Sequence, residues 1–316
     1  MQLINPNSKI DFLGKRKIAL GISAFMLFIS LIALVPSIRG LNFGIDFTGG
    51  SLVEVQFKQA PNIADIREAI SPAGYGHAII QTFGSPEEII IRVQNKGNSD
   101  SSSVSTAILS ALKNKFGDQQ IDMRRVEFVG PQVGEELTKA GISAVGIAML
   151  AILVYVTFRF ELRFALGADA ALLHDVMIVL GVFALLGKEF SLPVVAAILA
   201  VIGYSLNDTI VVFDRIRENL AANSKLKNPL DEVDVCNASV NQTLSRTLMT
   251  SFTTLLVVFA LFFLGGEVIH GFAFALLVGI GVGTYSSIFI ASPIMLSLAG
   301  RFRSSDEELA EMDARP

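Results

Sequence analysis

Ionisable side chains lie inside the long apolar runs of this 316-residue sequence. Asp208 follows Asn207 within one run, the preceding run contains His174 and Asp175, and Arg246 opens the next one. A charge inside a bilayer is costly unless it faces protein or a water-filled path. Such residues are therefore candidates for an ion or proton path. Asp208 is the strongest of them, because a polar neighbour accompanies it deep inside an apolar run.

Each of these residues also has a purely structural interpretation. Asp208 could accept a satisfied hydrogen bond, and Arg246 could extend to the lipid–water boundary as an anchor. Asp169, one or two turns from a predicted helix end, could simply be hydrated. His174 and Asp175 are adjacent in the sequence, so they should lie on different helix faces and at most one should face a given path.

Six apolar runs must position these residues, and they account for a composition that is 52% hydrophobic and only 17% charged. A bilayer core of about 30 Å needs about 20 apolar residues in a helix. By helix rise, Asp208 lies roughly 10 Å from Arg215 at the inner end of its run, where the long Arg246 side chain could approach it. The runs cover residues 18–36, 139–158, 164–187, 190–213, 247–265 and 272–299.

Lysine and arginine residues are concentrated in every second connection between the runs. They occur in the N-terminal segment, the 158–164 turn, a loop at 214–246 and the C-terminal tail, which predicts that both termini are cytoplasmic. We expect a multi-pass membrane protein. Its predicted parts are a cytoplasmic N-terminus (1–17), transmembrane helix 1 (18–36), a domain on the outer side of the membrane (37–138), transmembrane helices 2–6 (139–299) and a cytoplasmic tail (300–316).

Residues 37–138 have the mixed strand and helix signals of a soluble domain. The predicted order β-α-β-β-α-β is the ferredoxin-like pattern. The sequence thus predicts a polytopic α-helical membrane protein with six transmembrane helices and a ferredoxin-like α+β domain, on the outer side of the membrane, between the first two. Strands are expected at 52–57, 78–83, 88–93 and 122–129, helices at 62–70 and 104–116, and a loop at 97–103.

Several classes of function lack their characteristic residues. No nucleophile–base set, metal-ligand spacing or phosphate loop stands out in the sequence, so we expect neither an enzyme nor a bound metal or cofactor. No basic patch with interleaved aromatic residues indicates nucleic-acid binding. The single cysteine, Cys236, excludes an intramolecular disulfide and is predicted to lie in the 214–246 loop.

Five motifs in a fixed order resemble those of the SecD/SecF family of protein-export membrane proteins, and specifically its SecF members, within the resistance–nodulation–division (RND) transporter superfamily. The resemblance extends over nearly the whole chain. The segment at 203–219, which ends the fourth run, is the most specific of the five. The motifs are Gly44–Gly50, Leu173–Val176, Gly203–Asn219, Asn241–Thr247 and Gly283–Ser287.

The resemblance implies a location in the bacterial inner membrane, with the 37–138 domain in the periplasm. It also implies a SecD partner with six more helices and another intramembrane aspartate, which together would complete a twelve-helix RND-like body. It also implies association with the SecYEG channel, with YajC and YidC as further partners, and contact with unfolded exported polypeptide and the lipid bilayer. By motif match, Asp208 and Arg246 take the family's proton-pathway positions, and Asp175 is a lesser candidate. A carboxylate beside an arginine stays charged, and moving the arginine away lets it take up a proton. Gly271 stands where some relatives carry an acidic residue, so no proton-entry role is assigned at that outer turn.

Two other functions remain open. A small-molecule efflux transporter of the same superfamily would share the intramembrane charges, but it typically needs two halves and larger outer domains. A passive scaffold would stabilise the channel complex, and its charges would be merely structural. Charge-neutral substitution of Asp208 with assembly and export intact would favour the scaffold, whereas ligand-dependent protonation would favour the efflux transporter.

Overall fold

The computed structural model describes residues 10–93 and 101–298, which form a helical bundle and a four-stranded sheet backed by two helices. Among these residues, six helical spans are long and apolar enough to cross a membrane, so the predicted polytopic helical architecture is confirmed. In chain order the elements are α1 (Arg16–Leu34), β1 (Asn42–Phe43), α2 (Ile45–Thr48), β2 (Gly50–Phe57), α3 (Ile63–Ile70), β3 (Ile79–Phe83), β4 (Ser85–Val93), α4 (Ser101–Phe116), β5 (Ile121–Val129), α5 (Pro131–Arg159), α6 (Leu162–Leu186), β6 (Glu189–Phe190), α7 (Leu192–Ser224), α8 (Glu232–Leu264), α9 (Glu267–Ser286), a π-helical segment (Ser287–Ala291) and α10 (Ser292–Leu298).

Helices α6 and α7 are the central helices of the bundle. About half of each span is buried, whereas only 6% of the α5 span is buried. Glycines allow close packing around them. A Cβ at Gly181 would lie 2.2 Å from the Ser30 side chain of α1, and a Cβ at Gly279 would lie 2.2 Å from the Val201 side chain of α7. The glycines of α6 and α9 therefore permit the close approach of neighbouring helices that is typical of membrane bundles.

The end of the bundle farthest from the sheet differs from the prediction. The sequence predicted a loop at 214–246, but α7 continues to Ser224 and α8 begins at Glu232, so only residues 225–231 connect them. The prediction was wrong because it followed apolar runs alone. These helix ends are amphipathic, and their apolar faces share one buried cluster, which includes Cys236 on α8 rather than in a loop. The apolar members from the two helix ends are Phe213, Ile216, Leu220, Val235, Cys236, Val240 and Leu244.

The strands β2, β3, β4 and β5 form an antiparallel sheet in the order β3-β4-β2-β5. With α3 and α4 between them, the chain order is β-α-β-β-α-β, as predicted from the sequence. The two helices cover one face, where Val53, Ile66, Ile89, Ile108 and Leu112 are fully buried. The loop predicted at 97–103 lies partly outside the described residues, and α4 already begins at Ser101.

The glycine-rich motif at 44–50 joins the sheet to the bundle. A Cβ at Gly134, near the start of α5, would lie 2.8 Å from the carbonyl oxygen of Phe47, so only a glycine allows this approach. The carboxylate of Asp46 accepts a 2.7 Å hydrogen bond from the backbone N–H of Leu192, the first residue of α7. An acceptor at this position satisfies one of the free N–H groups at a helix start. The motif therefore fixes the starts of both α5 and α7.

Candidate functional site

A buried polar cluster lies between α6, α7 and α9, and Asp175 is at its centre. Asp175 is 1% exposed. One carboxylate oxygen, Oδ2, accepts hydrogen bonds from Ser205 Oγ at 2.7 Å and Ser286 Oγ at 2.8 Å, and Oδ1 lies 3.0 Å from His174 Nδ1. These three polar contacts satisfy the hydrogen-bonding capacity of a carboxylate that is buried in the protein interior. The three helices are thus tied together through a single side chain.

His174 also faces the bundle interior. The expectation that His174 and Asp175 would not both face one path was wrong, because both are buried and their side chains are in direct contact. Helix α6 is surrounded on several sides, so neighbouring positions about 100° apart can both be buried. The His174 ring stacks on Tyr285, whose hydroxyl donates to the backbone carbonyl of Ala19 at 2.7 Å. This extends the polar cluster to α1.

Asp208 has a different environment from Asp175. Its side chain is buried at 5% exposure, and Oδ2 accepts a 3.0 Å hydrogen bond from Ser287 Oγ. The neighbouring Asn207 is exposed and faces away from the bundle. The polar pair that marked Asp208 in the sequence is therefore divided between the interior and an outer face. Asp208 is held by fewer hydrogen bonds than Asp175.

Two consecutive serines connect the two aspartates. Ser286, at the end of α9, donates to Asp175, and Ser287, at the start of the π-helical segment, donates to Asp208. A π-helical turn is uncommon and occurs frequently at functional sites. Both serines belong to the Gly283–Ser287 sequence motif, but no role was predicted for them. The signal that could have identified them is a pair of hydroxyls in an otherwise apolar span.

Arg246 does not contact Asp208 directly in the described part of the chain. No hydrogen bond or ion pair joins their side chains, and Arg246 is exposed at the α8 surface. The adjacent Thr247 is buried, and its hydroxyl has no hydrogen-bond partner. Arg246 lies close enough to Asp208 for its charge to act on the carboxylate, and the Thr247 hydroxyl lies near the same carboxylate. The predicted pair of Asp208 and Arg246 therefore lies close together without a hydrogen bond or an ion pair.

Asp169, for which sequence analysis gave no role, lies on α6 with one buried carboxylate oxygen that has no hydrogen-bond partner. The hydroxyls of Thr250, Thr253 and Thr254 bond back to carbonyl groups of their own helix, whereas Ser251 contacts Thr284 of α9 at 2.7 Å. Within residues 10–93 and 101–298, no group of three or more His, Cys, Asp or Glu side chains could hold a metal ion. The site is a network of carboxylates and hydroxyls with one imidazole, that of His174.

Comparisons with known proteins agree with this architecture. Residues 108–301 match the family described as protein export membrane protein SecD/SecF, C-terminal, and residues 36–61 match the SecD/SecF GG motif. A protein translocase subunit SecF from Magnetococcus marinus is 52% identical over 98% of this chain and 99% of its own length. Another from Vibrio alginolyticus is 49% identical over 94% of this chain and 92% of its own length.

Two solved structures share the fold. A crystal structure of SecDF from Thermus, described as a translocon-associated membrane protein, is 35% identical over 95% of this chain with a TM-score of 0.82. A SecDF structure in a super-membrane-facing form is 37% identical over the whole chain with a TM-score of 0.66. This chain spans only 40% and 41% of those two longer chains. The chain therefore belongs to the SecD/SecF family of protein export membrane proteins, in its SecF branch.

Proposed function

We propose that this chain is the SecF half of a proton-driven motor that works with SecD to promote export of unfolded polypeptides through the SecYEG channel. The observation that carries the proposal is the hydrogen-bonded connection between two buried aspartates on separate helices through adjacent serines of a third. A proton gained or lost at one aspartate would change the hydrogen bonds that hold α7 against the π-helical segment. Protonation would thereby bias the relative positions of the helices.

Asp208 is the proton-coupling residue in this proposal. Asp175 is held by three polar contacts, whereas Asp208 accepts one hydrogen bond, from Ser287. Asp208 can therefore exchange a proton with less structural cost. Arg246, exposed and without a direct bond to Asp208, is free to approach it or withdraw from it. Asp175 acts mainly as the fixed anchor of the cluster.

The SecD partner is proposed to pack on the exposed face of α7. Ala196, Ala200, Gly203 and Asn207 are all exposed and recur at the spacing of one helix face. Small residues allow close helix approach in a membrane, and an amide can bond across such an interface. The longer SecDF chains, of which this chain spans 40% and 41%, support a partner of this kind. The SecYEG channel, YajC and YidC are further proposed partners.

The proposed orientation places both termini in the cytoplasm of a bacterial cell and the ferredoxin-like domain in the periplasm. Lysine and arginine residues at the bundle end farthest from the sheet support this assignment. Each proton that moves inward across 100 mV supplies about 2.3 kcal/mol. A few protons would therefore supply enough free energy to move a domain. The role is that of a transport subunit, not of an enzyme.

Export of a preprotein into inside-out membrane vesicles, with and without a proton-motive force, tests the proposal. We expect Asp208→Asn to abolish the increment that depends on the force, in complexes shown to be fully assembled. The matched control is Asp214→Asn, the same chemical change six residues further along α7, and it should retain the increment. If the increment survives in Asp208→Asn, the charges are structural and the passive-scaffold interpretation replaces the motor.

A further inference from the structure

A cavity of about 400 Å³ lies between the sheet and the end of the bundle nearest to it. We call it the sheet-side cavity. Leu52, Ile90 and Arg92 line it from the face of the sheet opposite α3 and α4, and Gln81, Thr82 and Phe83 line it from β3. The α6–α7 turn and the start of α9 close it from the bundle side. None of the residues that line the cavity belongs to the aspartate cluster.

Arg92 supplies unused hydrogen-bond donors to this cavity. Its side chain is 8% exposed, and its Nη2 pairs with Glu189 of the α6–α7 turn. The Nε and Nη1 groups of Arg92 are buried and have no partner. Buried polar groups are almost always hydrogen-bonded in native proteins, and each unsatisfied one has an energetic cost. Arg92 therefore has at least two donors without a partner at the wall of the cavity.

The charges around the cavity favour an uncharged acceptor over an anion. Three cations line it, namely Arg92, Arg125 and Lys188, and three acids line it as well, so its net charge is zero with His270 neutral. Each of the acids already has a partner. Glu189 pairs with Arg92, Glu127 lies 3.4 Å from Arg125, and Asp46 accepts the N–H of Leu192. The backbone carbonyl of a polypeptide is the neutral acceptor that such donors suit.

The remaining walls suit an extended chain. Leu52 and Ile90 are almost fully buried and form a small apolar cluster with Phe83 and Ile45. Side chains of an extended polypeptide alternate between two faces, so one face can contact these apolar groups. β3 is the terminal strand of the sheet. A free edge of this kind accepts an added strand through backbone hydrogen bonds.

We propose that the sheet-side cavity binds an extended segment of polypeptide, with backbone carbonyls on the free N–H groups of Arg92 and apolar side chains against Leu52 and Phe83. If the proposed export function is correct, the natural ligand is a segment of the exported chain. The binding itself needs neither a proton gradient nor Asp208. Its failure and the failure of the motor proposal are therefore distinguishable.

Photo-crosslinking tests this inference with the full chain in lipid nanodiscs together with its partner subunit. A photoreactive phenylalanine analogue replaces Gln81, which pairs with Ile90 on the cavity face of the sheet, or, as a control, the exposed Asp65 on the opposite side of the sheet. The probe is an uncharged synthetic peptide that alternates apolar and polar residues, without a proton-motive force. We expect crosslinks to the peptide from position 81 and not from position 65. Equal crosslinking from the two positions, or crosslinking from position 81 to the partner subunit alone, would overturn the proposal.

A second variant series asks whether Arg92 makes the contact. Arg92→Met should reduce crosslinking from position 81 about tenfold, equivalent to about 1.4 kcal/mol. Glu127→Gln, the matched control on the same cavity wall, should leave it unchanged. Glu189→Gln should keep the binding but change the ligand preference. At mildly alkaline pH a peptide with an acidic residue should crosslink more than the uncharged peptide, because Arg92 then lacks its counter-charge. A merely structural role for Arg92 predicts no such change in ligand preference. An unchanged preference in Glu189→Gln would therefore contradict the inference.

Discussion

The two buried aspartates should differ in what their neutralisation costs the fold. Asp175 is 1% exposed and has three polar partners, whereas one hydrogen bond from Ser287 is resolved at Asp208. A charged acceptor strengthens each bond by roughly 1 kcal/mol over a neutral one. We therefore expect Asp175→Asn to lower the free energy of unfolding by about 3 kcal/mol and Asp208→Asn by only about 1 kcal/mol.

Reversible unfolding in mixed detergent micelles measures this difference. Ser205→Ala and Ser286→Ala serve as controls, since each removes one donor to Asp175 and should cost about 1 kcal/mol. The same samples should show folded, monodisperse protein before denaturant is added. Equal losses for the two aspartate variants would refute the reasoning, because they would mean that the hydrogen bonds do not distinguish an anchor from an exchangeable group.

Three other perturbations follow from the packing and the charges. Gly181→Val should destabilise the bundle by about 2 kcal/mol in the same unfolding assay, because the new side chain meets Ser30 of α1, and an unchanged stability would contradict that contact. Asp46→Ala should cost about 1 kcal/mol by removing the acceptor for the first N–H of α7, whereas Asp46→Asn should retain most of that stability. Burial raises the pKa of Glu189 above its ordinary value of 4.5, although Arg92 opposes the shift. Burial of the neutral Glu189 side chain therefore stabilises the docking of the sheet on the bundle at low pH, and this stability is lost as pH rises through the raised pKa. Hydrogen exchange of β4 amides, corrected for intrinsic rates, should show increasing opening with pH in the wild type and a flatter profile in Glu189→Gln.

The sequence predicted the features that depend on local patterns. Apolar runs long enough to cross a bilayer gave the six spans, and alternating strand and helix signals gave the β-α-β-β-α-β order of the sheet domain. The length of the apolar runs did not predict the end of α7 or the start of α8, because both helices continue beyond the apolar region. The α7 and α8 extensions to Ser224 and from Glu232 are stabilised by contacts between two distant segments, and a search for continuous apolar runs does not detect such contacts.

The candidate site was predicted only in part for the same reason. Residue type and depth identified Asp175 and Asp208 as unusual, but their different environments depend on which hydroxyls reach them from other helices. Ser286 and Ser287 reach two helices because they are consecutive at the point where α9 changes to a π-helical turn, which no local pattern indicated. The ion pair between Arg92 and Glu189 joins residues 97 positions apart and depends on the docking of the sheet on the bundle.

Difference infrared spectroscopy of the assembled complex in lipid tests the central claim most directly, because it detects the carbonyl stretch of a protonated carboxyl group. We predict that acidification produces a protonated-carboxyl band that is lost in Asp208→Asn and retained in Asp175→Asn. An unchanged band in Asp208→Asn, or its loss in Asp175→Asn alone, would contradict the assignment of Asp208 as the residue that takes up the proton.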